Sequence, residues 1–181
     1  MKEIFIKYKA VIRFVVLFFG VYLVLSGMYS FYLKASADSS YYPDFVTNLV
    51  ARQSAAVLET FGYQAQLSEY RIQEGMLLTI DGQYAVNVVE GCNAISVIIL
   101  FMAFVISFAR SFKKTFLFLL AGMVLIYTVN VLRIAFLTVA LYKFPQHQET
   151  LHEVIFPAII YGMVLILWIV WIRNINTNAT E

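Results

Sequence analysis

The residues that could do chemistry in this 181-residue chain are few and far apart. Cys92, the single cysteine, follows Glu90-Gly91. Arg133 stands three positions after Asn130 inside a long apolar run, and His152-Glu153 closes a short polar stretch before another apolar run. A thiol, a guanidinium and an imidazole together form the parts of a nucleophilic acyl-transfer site. The thiolate attacks, the imidazole takes and returns a proton, and the guanidinium holds developing negative charge. Other chemistries lack their parts. One Cys and two His cannot complete a tetrahedral zinc site without carboxylates, no Gly-rich phosphate loop occurs, and a lone cysteine excludes an internal disulfide. No cofactor and no metal is expected.

These three groups can act together only if the elements that carry them bring them to one level. The composition indicates what those elements are. Apolar residues make up 61% of the chain and charged residues 13%, against roughly 45–50% and ~25% in soluble domains. A net charge of +2 gives no nucleic-acid footprint. The chain therefore reads as an all-α polytopic membrane protein, one domain over residues 1–181. Four stretches approach the ~20 apolar residues that cross a bilayer: about 11–33, 93–108, 115–142 and 154–172. Ala35-Ser36-Ala37 resembles a signal-peptidase site, but the apolar run before it exceeds the ~7–15 residues of a signal peptide, so the first stretch is read as a retained span.

Basic residues set the orientation. Lys2, Lys7, Lys9 and Arg13 lie at or before the start of the first stretch, Arg110, Lys113 and Lys114 fill the turn between the second and third, and Arg173 follows the fourth. The segment between the first two stretches has only Lys34, Arg52 and Arg71 against seven acids. Both termini are therefore expected in the cytoplasm, with residues 34–92 and 143–152 outside the inner membrane. Within 34–92, Pro43-Asp44 opens a helix that ends near Gly62. Two alternating runs around Asp81-Gly82, a strong hairpin turn, form a β-hairpin. The expected fold is four transmembrane helices under a small helix-plus-hairpin cap.

Depth then places the candidate residues. Cys92 falls where the hairpin turns into the second span, and a helix starting near Asn93 would set its positive end beside the thiol and favour the thiolate. Arg133 lies eighteen residues after Thr115, about 27 Å at ~1.5 Å per residue, and so near the outer face with Asn130 on the same helix side. His152 opens the fourth span at that face, whereas His147 lies in a more polar stretch. Each has an ordinary reading too: a buried apolar cysteine, a snorkelling arginine, solvated loop histidines. Three independent placements nevertheless converge on one membrane side.

At these residues the chain resembles the exosortase/archaeosortase family, most closely its short flavobacterial type XrtF. The motifs are Gly91-Cys92 opening a span, Asn130-x-x-Arg133 in the next, and His152-Glu153 with Gly162 in the last. The resemblance implies a cysteine transpeptidase or protease. Cys92 would be its nucleophile, Arg133 its electrostatic stabiliser and His152 its general base and acid, with Asn130, Glu90, Asn93 and Glu153 in support. It implies as partners the C-terminal sorting-signal helix of exported proteins, the lipid bilayer and a surface-glycan or lipid acceptor. Many bacterial members follow the cysteine with Ser-Gly; here Asn93-Ala94 follows. Two other readings remain: a non-catalytic four-span assembly subunit of a surface-polymer or protein export system, held by Asn130 and Arg133, and a hydrolase of lipid-linked substrates using Glu90 and Glu153.

Overall fold

A computed structural model describes residues 8–36, 40–109 and 111–177. Lys2, Lys7, Ala37 and Arg110, invoked above, lie outside the described residues, as do the side chains of His152 and Glu153. The chain runs α1 (Lys9–Ser36), α2 (Phe45–Thr60), β1 (Ala65–Tyr70), β2 (Gly75–Ile80), β3 (Gln83–Val89), a 3-10 turn (Glu90–Cys92), α3 (Ile95–Ser107), α4 (Phe112–Lys143), a 3-10 turn (Pro145–His147), one helical turn (Gln148–Thr150), a π-helical turn (Leu151–Ile155) and α5 (Phe156–Thr177).

Ring contacts and hydrogen bonds fix the helix directions. At one end Phe14 of α1 stacks on Phe108 just past α3, with centroids 4.6 Å apart. Trp168 of α5 stacks on Phe104 at 4.3 Å, and Trp171 stacks on Phe118 of α4 at 4.7 Å. At the other end Tyr29 of α1 meets Asn93, just ahead of α3, and Asn130 of α4 meets Cys92. Helices α1, α3, α4 and α5 therefore alternate in direction. Gly122 lets α3 approach α4 closely: a Cβ there would collide with the fully buried ring of Phe101.

Among the described residues three helices, α1, α4 and the 157–174 part of α5, are long and apolar enough to cross a membrane. The expected second span corresponds to the 13-residue apolar helix α3, about 20 Å long at 1.5 Å per residue against a ~30 Å hydrocarbon core, so a fourth span is not shown by length alone. Conversely α4 has 32 residues and reaches about 48 Å. Its surplus belongs to the cap. Val131, Ile134, Ala135, Leu137 and Leu141 form one apolar core with Val50, Leu58, Leu78 and Val88.

The cap differs from the expected helix and hairpin by one strand. It is an antiparallel sheet of order β1-β2-β3, with α2 and the C-terminal part of α4 packed on it. The β2–β3 turn is the expected one: Asp81 and Gly82 both take positive φ, 51° and 75°, as a type I′ turn requires. Asp44 caps α2, accepting from the amides of Val46 and Thr47 at 2.9 and 3.1 Å. The Tyr142 hydroxyl donates to Asp81 at 2.9 Å, tying the far end of α4 to the hairpin turn.

Candidate active site

Cys92 ends the 3-10 turn that joins β3 to α3, and its neighbours hold that corner. Asn93 is buried, 1% exposed. Its amide donates to the Tyr29 hydroxyl at 2.8 Å and to Thr47 Oγ1 at 3.0 Å, and its carbonyl oxygen accepts from the Ile95 amide at 3.0 Å. One side chain thus caps α3 and ties it to α1 and α2. Ala94 takes φ +66°, a left-handed conformation that costs an L-residue roughly 1–2 kcal/mol and that glycine adopts freely. α3 starts three residues after the cysteine, not at the expected Asn93.

From α4, Asn130 (2% exposed) donates through Nδ2 to the Cys92 carbonyl oxygen at 2.7 Å. One helical turn on, the Arg133 guanidinium lies near enough to the Cys92 sulfur and to the Tyr161 phenol of α5 for their charges to act on one another. Arg133 Nε is buried and has no partner among the described residues. The Asn-x-x-Arg spacing therefore has a geometric meaning. Two positions on one helix face meet the same residue, Asn130 at its backbone and Arg133 beside its sulfur.

Cys92, Arg133 and Tyr161 open into a cavity of about 500 Å³ that has β3 along one side and α4 and α5 along the other. Gln148 and Pro157 also line it. They bracket the π-helical turn that carries His152 and Glu153 in its backbone. Pro157 has no N–H to give to the turn before it, which accounts for the widened helix there. The structure thus joins Cys92, Arg133 and Asn130, and sets the His152 turn between two residues of the same cavity.

Glu90 belongs elsewhere. It lines a second cavity with Lys34 and Asp44, on the other side of the Val89–Gly91 link. Burial, with the Asp44 charge adding to it, holds its carboxyl above the usual carboxylate range. His147 is exposed, at the end of its 3-10 turn. Sequence reasoning missed Tyr161, because a tyrosine in an apolar helix reads as packing. It also missed Gln73 and Asn87, which line the cavity and share a hydrogen bond of 3.2 Å. Among the described residues no cluster of His, Cys, Asp and Glu could hold a metal.

A half-buried arginine beside a thiol, inside a membrane bundle under a small cap, defines a membrane protein with a candidate cysteine acyl-transfer site. The family model for transmembrane exosortases (Exosortase_EpsH) matches residues 7–172, and the chain belongs to that family. The match is to the family as a whole, a group of membrane transpeptidases that act in protein sorting. No curated protein and no solved structure is similar to the chain.

Proposed function

We propose that this protein is a cysteine transpeptidase or protease of the bacterial inner membrane that processes the C-terminal sorting signals of exported proteins at the outer face. What carries the reading is the thiol of Cys92 beside the Arg133 guanidinium at the edge of a cavity, where the cap meets the spanning helices. In this reading α3, whose two ends lie at opposite ends of the bundle, makes the fourth crossing, so the cap lies outside and both termini are cytoplasmic. The substrate's membrane helix docks beside the bundle and presents the peptide bond ahead of it to the cavity.

The Cys92 sulfur attacks the carbonyl carbon of that bond, and the oxygen becomes an oxyanion. Arg133, with Nε unpaired, donates to it; such a donor contributes about 10²–10³ in rate. The C–N bond then breaks. His152, having taken the thiol proton, returns it to the departing amine, and the signal helix leaves. The acyl group stays on Cys92 as a thioester. Water resolves it to an acid, or an amine or hydroxyl of a surface glycan or lipid acceptor resolves it to an amide or ester; either way the thiol is restored. Asn130 fixes the attacking residue through its carbonyl.

The test is an exported reporter that ends in a membrane helix, a basic cluster and a C-terminal tag. Co-expression with this protein should release the tag, and Cys92→Ala should abolish release at equal membrane abundance. Unchanged release by Cys92→Ala overturns the enzyme reading in favour of an assembly subunit.

A further inference from the structure

We propose that the free edge of β3 is the docking edge for the substrate: the extended segment ahead of the scissile bond adds to the sheet as a fourth strand, parallel to β3. This rests on the transpeptidase reading above and specifies how its substrate is held.

Three observations lead there. First, β3 is an edge strand, paired among the described residues with β2 alone. Edges are normally blunted by charge, proline or a bulge; β3, Gln83–Val89, has no charge and no proline, and its one bulge, at Ala85, leaves Val86–Val89 in regular register. Second, side chains alternate between the faces of a strand, so a cavity lying on one face meets every second residue. Past the bulge, where alternation holds, Val86, Asn87 and Val89 all line the cavity that holds Cys92. A cavity that meets successive residues runs along the strand's edge, where the unpaired backbone groups are. Third, β3 leads through Glu90 and Gly91 directly to Cys92, and Gly91, which lines the cavity, has nothing within 4 Å of where a Cβ would stand. A chain laid along this edge arrives at the thiol.

The opposite wall supplies specificity. Leu137 and Leu141 from α4, with Pro157 and Ile160 from α5, face the edge across the cavity. In strand addition the backbone bonds give affinity and pockets for alternate side chains give selectivity. The direction follows from the substrate's own order. Its membrane helix is C-terminal to the cut, and β3 runs from the cap towards Cys92, where α3 continues into the bundle. The added strand must run the same way.

The experiment uses the full-length Cys92→Ala protein, which keeps the reporter uncut. The reporter whose tag release depends on Cys92 receives benzoylphenylalanine singly at successive positions ahead of its membrane helix, and photoadducts are mapped by mass spectrometry. Adducts should fall within residues 85–91 and move towards 91 as the probe moves towards the membrane helix. Adducts outside this strand, the reverse order, or β3 adducts joining two copies of this chain overturn the proposal. If no reporter shows Cys92-dependent release, the function itself fails; if release persists while adducts map elsewhere, docking alone fails.

Discussion

Cys92 is set by three neighbours: Asn130 on its carbonyl, Arg133 beside its sulfur, and Asn93, the following residue, anchored through its buried amide. Each neighbour predicts a distinct loss. Arg133→Lys should lower tag release on the order of 10²-fold, since lysine keeps the charge but loses the planar fork; initial rates at matched abundance check this. Asn130→Ala leaves the Cys92 carbonyl without that donor and should cost about 1–3 kcal/mol, read from thermal unfolding in detergent, along with reduced release. At Ala94 the direction reverses. Ala94→Gly should stabilise by up to ~1 kcal/mol by removing left-handed strain, and Ala94→Val should destabilise by more than that. The convergence of Cys92 and Arg133 was legible from depth arithmetic alone. The partner of Asn130 was not, because it is a backbone carbonyl, which no side-chain pattern marks. The left-handed corner at Ala94 was hidden for a related reason: alanine gives no signal there, where a glycine would have.

At the scale of elements the cap and α4 explain each other. The sequence shows a third apolar stretch longer than a bilayer needs, and the structure uses its last turns as the floor of the sheet, with Ile134, Leu137 and Leu141 in the cap core. Arg133 thus sits where one helix changes from membrane span to soluble scaffold, at the cap–bundle boundary. β1 escaped sequence reading because it is an edge strand of Ala65-Gln66-Leu67-Ser68-Glu69-Tyr70, with little apolar signal of its own. α3 is shorter than the apolar stretch around it because the chain turns a left-handed corner at Ala94 before the helix begins, with Asn93 accepting from the Ile95 amide. The α3–α4 contact gives the prediction at this scale. Gly122→Ala should destabilise by about 1–3 kcal/mol through overpacking against Phe101. Phe101→Leu should recover part of that loss in the double variant, as read by unfolding temperature in detergent.

For the molecule as a whole, alternating helices put the N-terminal end of α1 and the C-terminal end of α5 together, opposite the cap. In the proposed orientation a reporter fused after Glu181 is active only in the cytoplasm, and a membrane-impermeant maleimide reaches Cys92 from outside. An outward-active fusion would reverse the topology and leave Cys92 on the wrong side for exported substrates. The central claim is narrower: the substrate's acyl group passes through a thioester on Cys92. Hydroxylamine tests it most directly, because it competes with water for a thioester and leaves a hydroxamate. With the reporter, wild-type protein and increasing hydroxylamine, a reporter fragment whose new C-terminus is a hydroxamate should rise with hydroxylamine and be absent with Cys92→Ala. Cleavage at the same bond that yields only the free acid at every hydroxylamine concentration, or a hydroxamate formed by the Cys92→Ala protein, would contradict it.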